Sequence, residues 1–248
     1  MTAPHHSSKA SGDIYLFGRH PIELALQNPN RRILEIYYTA NSVKNIKLPP
    51  KISTKCVDKV FLDNLVGRDS LHQGIVARCA PLPPVSLPDL LKRLKSRQTA
   101  LVMILDQITD PHNVGAILRS ATAFDADAVI VPEAGAPTES GTLAKSASGA
   151  LELMPLIRVP NLIRVMEKLK EEGFWCIGLD GYAKDSVNAA KLPQKCAFVM
   201  GSEGDGMRRL TQENCDYCVK LPMNPAIESL NVSNAAALIL YEYRRQHP

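Results

Sequence analysis

Residues 198–243 read FVMGSEGDGMRRLTQENCDYCVKLPMNPAIESLNVSNAAALILYEY, and the reading of this stretch decides the fold. An apolar, strand-like run ends in Gly201-Ser202-Glu203-Gly204-Asp205-Gly206, and a short polar helix follows. A second strand-like run closes on Leu221-Pro222-Met223. After a loop, Ser229-Leu230-Asn231-Val232-Ser233-Asn234 opens an Ala-rich helix. Two strand ends thus deliver glycine and proline loops to a place where a helix N-terminus points its free amides. Backbone donors converging in this way suit a polar ligand held by main chain rather than by long charged side chains.

Upstream, the same alternation continues. ALVMILD, ending in Asp106, is a continuous apolar strand of the kind that parallel sheets bury on both faces. The loop QITDPHNVGA leads into a helix running through Phe124, and ADAVIVPE is the next strand. TESGTLAKSASGALE predicts a helix of small residues and LMPLIRV a strand. NLIRVMEKLKEEG predicts a helix capped by Asn161 and Gly173, and FWCIGLDG a further strand. Strands and helices alternating on this scale imply an α/β fold with a parallel sheet covered on both faces.

Nearer the N-terminus, IYLFGRHPIELALQ reads as a lead-in and a helix with Pro21 in its first turn. ILEIYYT, KISTKCV and GIVARCA are short strands, and DKVFLDNLVG is a helix closed by Gly67. His72-Gln73-Gly74 signals a turn. APLPPVSLP, with four prolines, is a semi-rigid linker, and DLLKRLKSR after it a short amphipathic helix. The expected division is a disordered tail over 1–12, a small α/β domain over 13–80, the linker and helix over 81–98, and a second α/β domain over 99–248.

Composition narrows the function. A net charge of +4, from 29 Lys+Arg against 25 Asp+Glu, permits an anionic partner such as RNA without demanding one. Arg19, His20, Arg31, Arg32, Lys44, Lys47, Lys51, Lys55 and Lys59 are singly a solvated face and jointly a surface that could track phosphates. No apolar run approaches the ~20 residues that span a bilayer. MTAPHHSSKAS lacks the apolar core of a signal peptide, so the six cysteines are expected to be reduced thiols of a cytoplasmic protein. Cys215-Asp216-Tyr217-Cys218 has zinc or redox spacing, but no second cysteine pair or paired histidine lies within reach. It reads as a helix-to-strand junction, and no metal is expected. The chain has no Gly-x-Ser-x-Gly elbow and no His-Glu-x-x-His, and its glycine spacing reverses the dinucleotide fingerprint.

Three blocks, DPHNVGAILRSATAFDADAVIVP, FVMGSEGDGMRRLTQENCD and LPMNPAIESLNVSNAAALILYEYRRQ, resemble the signature blocks of the SpoU family, the TrmH-like RNA 2′-O-ribose methyltransferases of the SPOUT superfamily. They occur in the family's order and span about residues 104–246. FGRHPIELAL and LHQGIVA are similar to the small substrate-binding domain that precedes the catalytic domain in members acting on a 23S rRNA guanosine. The resemblance implies a C-terminal trefoil knot, S-adenosylmethionine as cofactor, RNA as partner and a homodimer packed through the knot region. It implies 2′-O-methylation of a guanosine in 23S rRNA. A tRNA substrate keeps the same chemistry, and a non-catalytic RNA-binding assembly factor is the reading of a different class.

The resemblance also assigns residues. Gly201, Leu221 and Leu230 would line a main-chain pocket for the cofactor, with Pro222 and Met223 beside them. Arg119 matches the family's catalytic arginine. A guanidinium with a pKa above ~12 is a poor base, so Arg119 is expected to fix the target phosphate or the developing alkoxide while another group or water takes the proton. Glu203 would orient the arginine or the nucleotide. Asn113 is either a helix cap or a substrate contact; Ser229 is a candidate cap, with Asn231 holding the loop. Asn234 and Tyr241 are read as structural.

Overall fold

The computed structural model describes residues 12–43, 46–224, 226–227 and 229–248. The tail expected over 1–12, Gly12 apart, and Lys44 of the basic set lie outside the described residues. The chain divides into two compact units: Met1–Pro83 with Glu139–Gly141, and Pro84–Thr138 with Thr142–Pro248.

The first unit holds β1 (Ile14–Phe17), α1 (Arg19–Gln27), β2 (Ile33–Tyr38), β3 (Ser53–Cys56), α2 (Lys59–Val66) and β4 (Ile75–Cys79). Its sheet runs β1-β4-β2-β3, antiparallel except for the parallel β2–β3 pair. The lead-in IYLF is therefore a strand. Four residues are too few to show a period, and β1 gains its structure from pairing with β4, which lies far along the chain. Leu16, Ile36, Leu62, Val76 and Ala77 are fully buried in this unit. Asp58 caps α2 by accepting from the Phe61 amide at 2.8 Å, and Gly67 ends the helix at φ 95°. The His72-Gln73-Gly74 turn closes on itself, with the Gly74 amide donating to His72 Nδ1 at 3.0 Å. An acceptor Nδ1 puts the ring proton on Nε2, which faces Asp63 Oδ1 at 3.0 Å.

The second unit holds α3 (Leu87–Leu94), β5 (Ala100–Leu105), α4 (Pro111–Ala123), β6 (Ala128–Pro132), α5 (Gly141–Ser146), β7 (Leu156–Val159) and α6 (Leu162–Glu171). It continues with β8 (Trp175–Leu179), β9 (Asp185–Ser186), β10 (Lys195–Met200), α7 (Arg209–Glu213), β11 (Tyr217–Lys220) and α8 (Val232–Gln246). Its strands pair in parallel throughout, in the order β7-β6-β5-β10-β8-β11-β9. Every residue of central β5 is buried, as its unbroken apolar run requires of a strand covered on both faces. Parallel strands bring all their C-terminal ends to one side, and the loops Gly201–Arg208 and Leu221–Leu230 emerge there.

Three local readings are corrected. Helix α4 begins at Pro111 rather than several residues later, because Pro111 fits a first helical turn and Asp110 caps it, accepting from the His112 amide at 2.9 Å. Residues 138–152 do not form one helix. Ser148 at φ 51° and Gly149 at φ 86° break it, leaving α5 and a 3₁₀ turn at Ala150–Glu152. The two-residue strand β9 forms inside what reads as a loop. Asn161 caps α6 as expected, and Gly173 follows its end at φ 83°.

Candidate active site

At the C-terminal ends of the second unit's strands lies a cavity of about 570 Å³. Gly201, Leu221, Met223, Ser229 and Leu230 line it, with Asp180–Tyr182 and Glu203 also on its walls. Pro222 is exposed and does not line it.

The glycine loop is shaped by contact, not only by flexibility. A Cβ on Gly201 would stand 2.0 Å from the Gly206 carbonyl carbon and 2.2 Å from the Met207 amide nitrogen. Only glycine lets the chain double back so tightly; Ser202 and Gly206 then exchange two backbone hydrogen bonds of 3.1 Å. Gly204 and Gly206 supply the positive φ angles, 89° and 68°, that the reversal needs. The loop's far end is clamped to β5. Fully buried Asp106 accepts from the Arg208 amide at 3.0 Å and its Nε at 2.8 Å, and ion-pairs with its Nη2 at 2.7 Å.

A second clamp joins three candidate residues. Asn231 Nδ2 donates to Glu203 Oε1 at 2.6 Å and to Asn113 Oδ1 at 3.0 Å, and the Val232 amide donates to the same Glu203 oxygen at 2.8 Å. A carboxylate against the first amide of a helix is favourable both as a hydrogen bond and through the helix dipole. Asn231 is itself the cap of α8, accepting from the Ser233 amide at 3.0 Å. The expected caps are therefore corrected. Asp110 and Asn231 do that work, which frees Asn113 to bridge to Asn231 and leaves Ser229 exposed on the cavity wall.

Arg119 is not drawn into this cluster. It is exposed on α4 and makes no hydrogen bond or ion pair with any described residue. Asn234 is exposed at the start of α8, and Tyr241, 55% exposed, meets Phe124 edge to face at 6.1 Å.

The Asp106–Arg208 clamp escaped sequence reasoning. Its partners lie 102 residues apart, and the one available hint was an acid ending an apolar strand. The pinned turn at the cavity rim also escaped it: Tyr182 N donates to Asp180 Oδ1 at 2.9 Å and Gln212 Nε2 to Asp180 Oδ2 at 2.7 Å.

The Cys215–Cys218 pair spans the junction of α7 and β11 and packs on the sheet. A Cβ on Gly178 would lie 2.7 Å from Cys218 Sγ and 3.1 Å from Cys215 Sγ. Burial raises both thiols above their ordinary value and pushes Cys176 up to about 12. Such thiols stay protonated and unreactive near neutral pH. No group of three or more His, Cys, Asp or Glu side chains among the described residues could hold a metal ion. Among them, no helix is long and apolar enough to cross a membrane.

Residues 100–241 match the SpoU rRNA Methylase family, and residues 15–85 match the RNA 2'-O ribose methyltransferase substrate binding family. The chain is 39% identical over 239 residues to the 23S rRNA (guanosine-2'-O-)-methyltransferase RlmB of Vibrio vulnificus, covering 94% of this chain and 96% of that protein. It is 40% identical to the RlmB of Neisseria meningitidis, covering 93% and 94%. Among solved structures it is similar to the SpoU methyltransferase AviRb from Streptomyces viridochromogenes in complex with AdoMet. There the TM-score is 0.80 at 26% identity, over 95% of this chain and 91% of that one. With that family matched over residues 100–241 and near-full-length relatives at 39–40% identity, the chain belongs to the SpoU rRNA methylase family.

Proposed function

We propose that this enzyme transfers a methyl group from S-adenosylmethionine to the 2′-hydroxyl of a guanosine in 23S rRNA. The observation that carries the reading is the cavity at the strand ends, lined by Gly201, Leu221 and Leu230 and by Glu203 of the Glu203–Asn231–Asn113 clamp. The residues present fit the cofactor. At about 570 Å³ the cavity lies within the ~300–1,000 Å³ of small-molecule sites, and the glycine loop on its wall closes through a backbone approach that only Gly201 permits. Gly201, Leu221 and Leu230, with Met223 beside them, would hold S-adenosylmethionine. Bound there, the cofactor supplies an electrophilic methyl on a sulfonium.

The chain's own contribution is positioning. Glu203 Oε1 already receives Asn231 and the Val232 amide, so this carboxylate braces the loop rather than waiting for a proton. Arg119, permanently charged and without a partner among the described residues, is suited to fix the target phosphate or the developing alkoxide, with the proton passing to another group or water. Ser229, exposed on the wall, would meet the ribose in this reading. The first unit would bind the RNA; Lys47, Lys51, Lys55 and Lys59 are all exposed on it. We further read the C-terminal segment as threaded in a trefoil knot and the enzyme as a homodimer. The likeness to AviRb supports the first and the exposed Leu238 and Tyr241 of α8 the second.

The test is methyl transfer from labelled S-adenosylmethionine to unmodified 23S rRNA and, separately, to unmodified tRNA, with Arg119→Ala beside the wild type. Label on a ribose of 23S rRNA, lost in the variant, is the expected outcome. Label confined to tRNA overturns the substrate. No label on either, despite cofactor binding, overturns the catalytic reading in favour of an assembly factor.

A further inference from the structure

The parallel strands of the second unit have two ends, and the site above uses only one. At the N-terminal ends a second cavity of about 390 Å³ opens beside Trp175, Tyr217, Asp185, Ser186, Lys191 and Pro193. Trp175 begins β8 and Tyr217 begins β11, while Gly201 follows the last residue of β10. The five residues of β8 at ~3.3 Å each put the two cavities roughly 15 Å apart along the strands, at opposite strand ends of the sheet.

We propose that this cavity is a second RNA contact, in which an unpaired base of the substrate stacks on the open face of Trp175 and Lys191 meets its phosphate. Trp175 is half exposed, a costly state for the largest apolar side chain unless something planar covers it. Tyr217 braces the indole at 6.2 Å between ring centroids, with the planes inclined at 59°, so the occupant takes the outer face rather than a slot between the rings. Asp185 and Lys191 are exposed, and neither makes a side-chain hydrogen bond or an ion pair with any described residue. An acceptor for an amino group on a base edge and a cation for a backbone phosphate therefore flank one aromatic face, the combination that single-stranded RNA uses. A greasy peptide anchor would leave both charges unserved.

The inference rests on RNA being the substrate. Trp175 is the chain's sole tryptophan, so its emission reports on this cavity and on nothing else in the protein. The full-length protein is titrated with a short single-stranded RNA of mixed sequence, and with its duplex, while polarisation of the labelled RNA reads binding independently. Emission is expected to quench with the single strand, in step with polarisation, and to change little with the duplex. Lys191→Gln shifts both curves severalfold to weaker binding. Trp175→Ala and, should that variant fold poorly, Tyr217→Ala weaken single-strand binding by about tenfold while the affinity for S-adenosylmethionine is unchanged. Saturating polarisation with unaltered Trp175 emission overturns the inference and leaves the methyltransferase reading intact. Absence of RNA binding altogether strikes that reading itself. Emission that instead tracks protein concentration without RNA assigns the cavity to a second copy of the chain, and also overturns it.

Discussion

The two units solve the problem of polar groups in a sheet in opposite ways. In the first, charge is admitted into the strands. Glu35 of β2 is 8% exposed and receives Tyr37 Oη at 2.5 Å and Lys55 Nζ at 2.7 Å, while Arg78 of β4 holds Asp13 at 2.7 Å. In the second, β5 and β10 are apolar almost throughout, and the polar chemistry is expelled to the strand ends. A sheet apolar in its middle is a rigid platform whose loops can be specialised without touching its core. A sheet with ion pairs in its strands ties its stability to pH. The second unit is built to hold a small ligand still, and the first carries its charge where solvent conditions reach it.

The largest effect expected to test this division is on chemistry. Arg119→Ala should lower kcat by about 10²- to 10³-fold with cofactor affinity and thermal unfolding unchanged, read by single-turnover methyl transfer and calorimetry. An equal rise in the cofactor Kd would show that Arg119 supports the cavity instead. Next, Gly201→Ala drives a methyl into the Gly206 backbone and should weaken S-adenosylmethionine binding by on the order of 100-fold in titration calorimetry. Unaltered affinity would mean that the cofactor binds elsewhere. Asp106→Ala strips two hydrogen bonds and an ion pair from Arg208 and should cost about 3 kcal/mol, confined to the second unit's unfolding transition in urea.

Least in size is the pH dependence of the first unit. Lys55, followed by Tyr37, holds the Glu35 carboxyl below its ordinary value of 4.5. A carboxyl depressed on folding adds stability that is fully present above 4.5 and is lost as pH falls through the folded value. The first unit should therefore melt at progressively lower temperature as acid is added below pH 4.5, and Glu35→Gln should flatten that slope. An unchanged slope in the variant would place the acid sensitivity in other carboxyls. The same burial and the Glu35 contact push the Tyr37 hydroxyl up to about 12, so it remains a donor throughout this range.

Much of the second unit could be read from its residues, because a buried parallel strand writes its environment as an unbroken apolar run and Asn161 stands one residue ahead of a periodic helix. The glycine loop and the Ser229–Asn234 helix start were legible for the same reason: strand ends and caps are local. What escaped reading is what depends on distant partners. IYLF becomes a strand through β4, and Asp106 acquires its role through Arg208. Asn113 lost the capping assignment to Asp110 by a difference of three residues, which the composition DPHN leaves undecided. The break at Ser148–Gly149 hides in a run of small residues, where helix propensity is poor evidence against a turn.

The loop from Gly201 to Arg208 is anchored at its root by β10, at its waist by the Ser202–Gly206 pair, and at its far end by Asp106. A segment held in this way before any ligand arrives has little freedom left to surrender. Its amides at Ser202, Gly206 and Arg208 are engaged in the free protein and should exchange hydrogen with solvent slowly even without cofactor. Association would then involve little ordering of this loop, and its kinetics should be those of encounter with a finished surface rather than of a folding step.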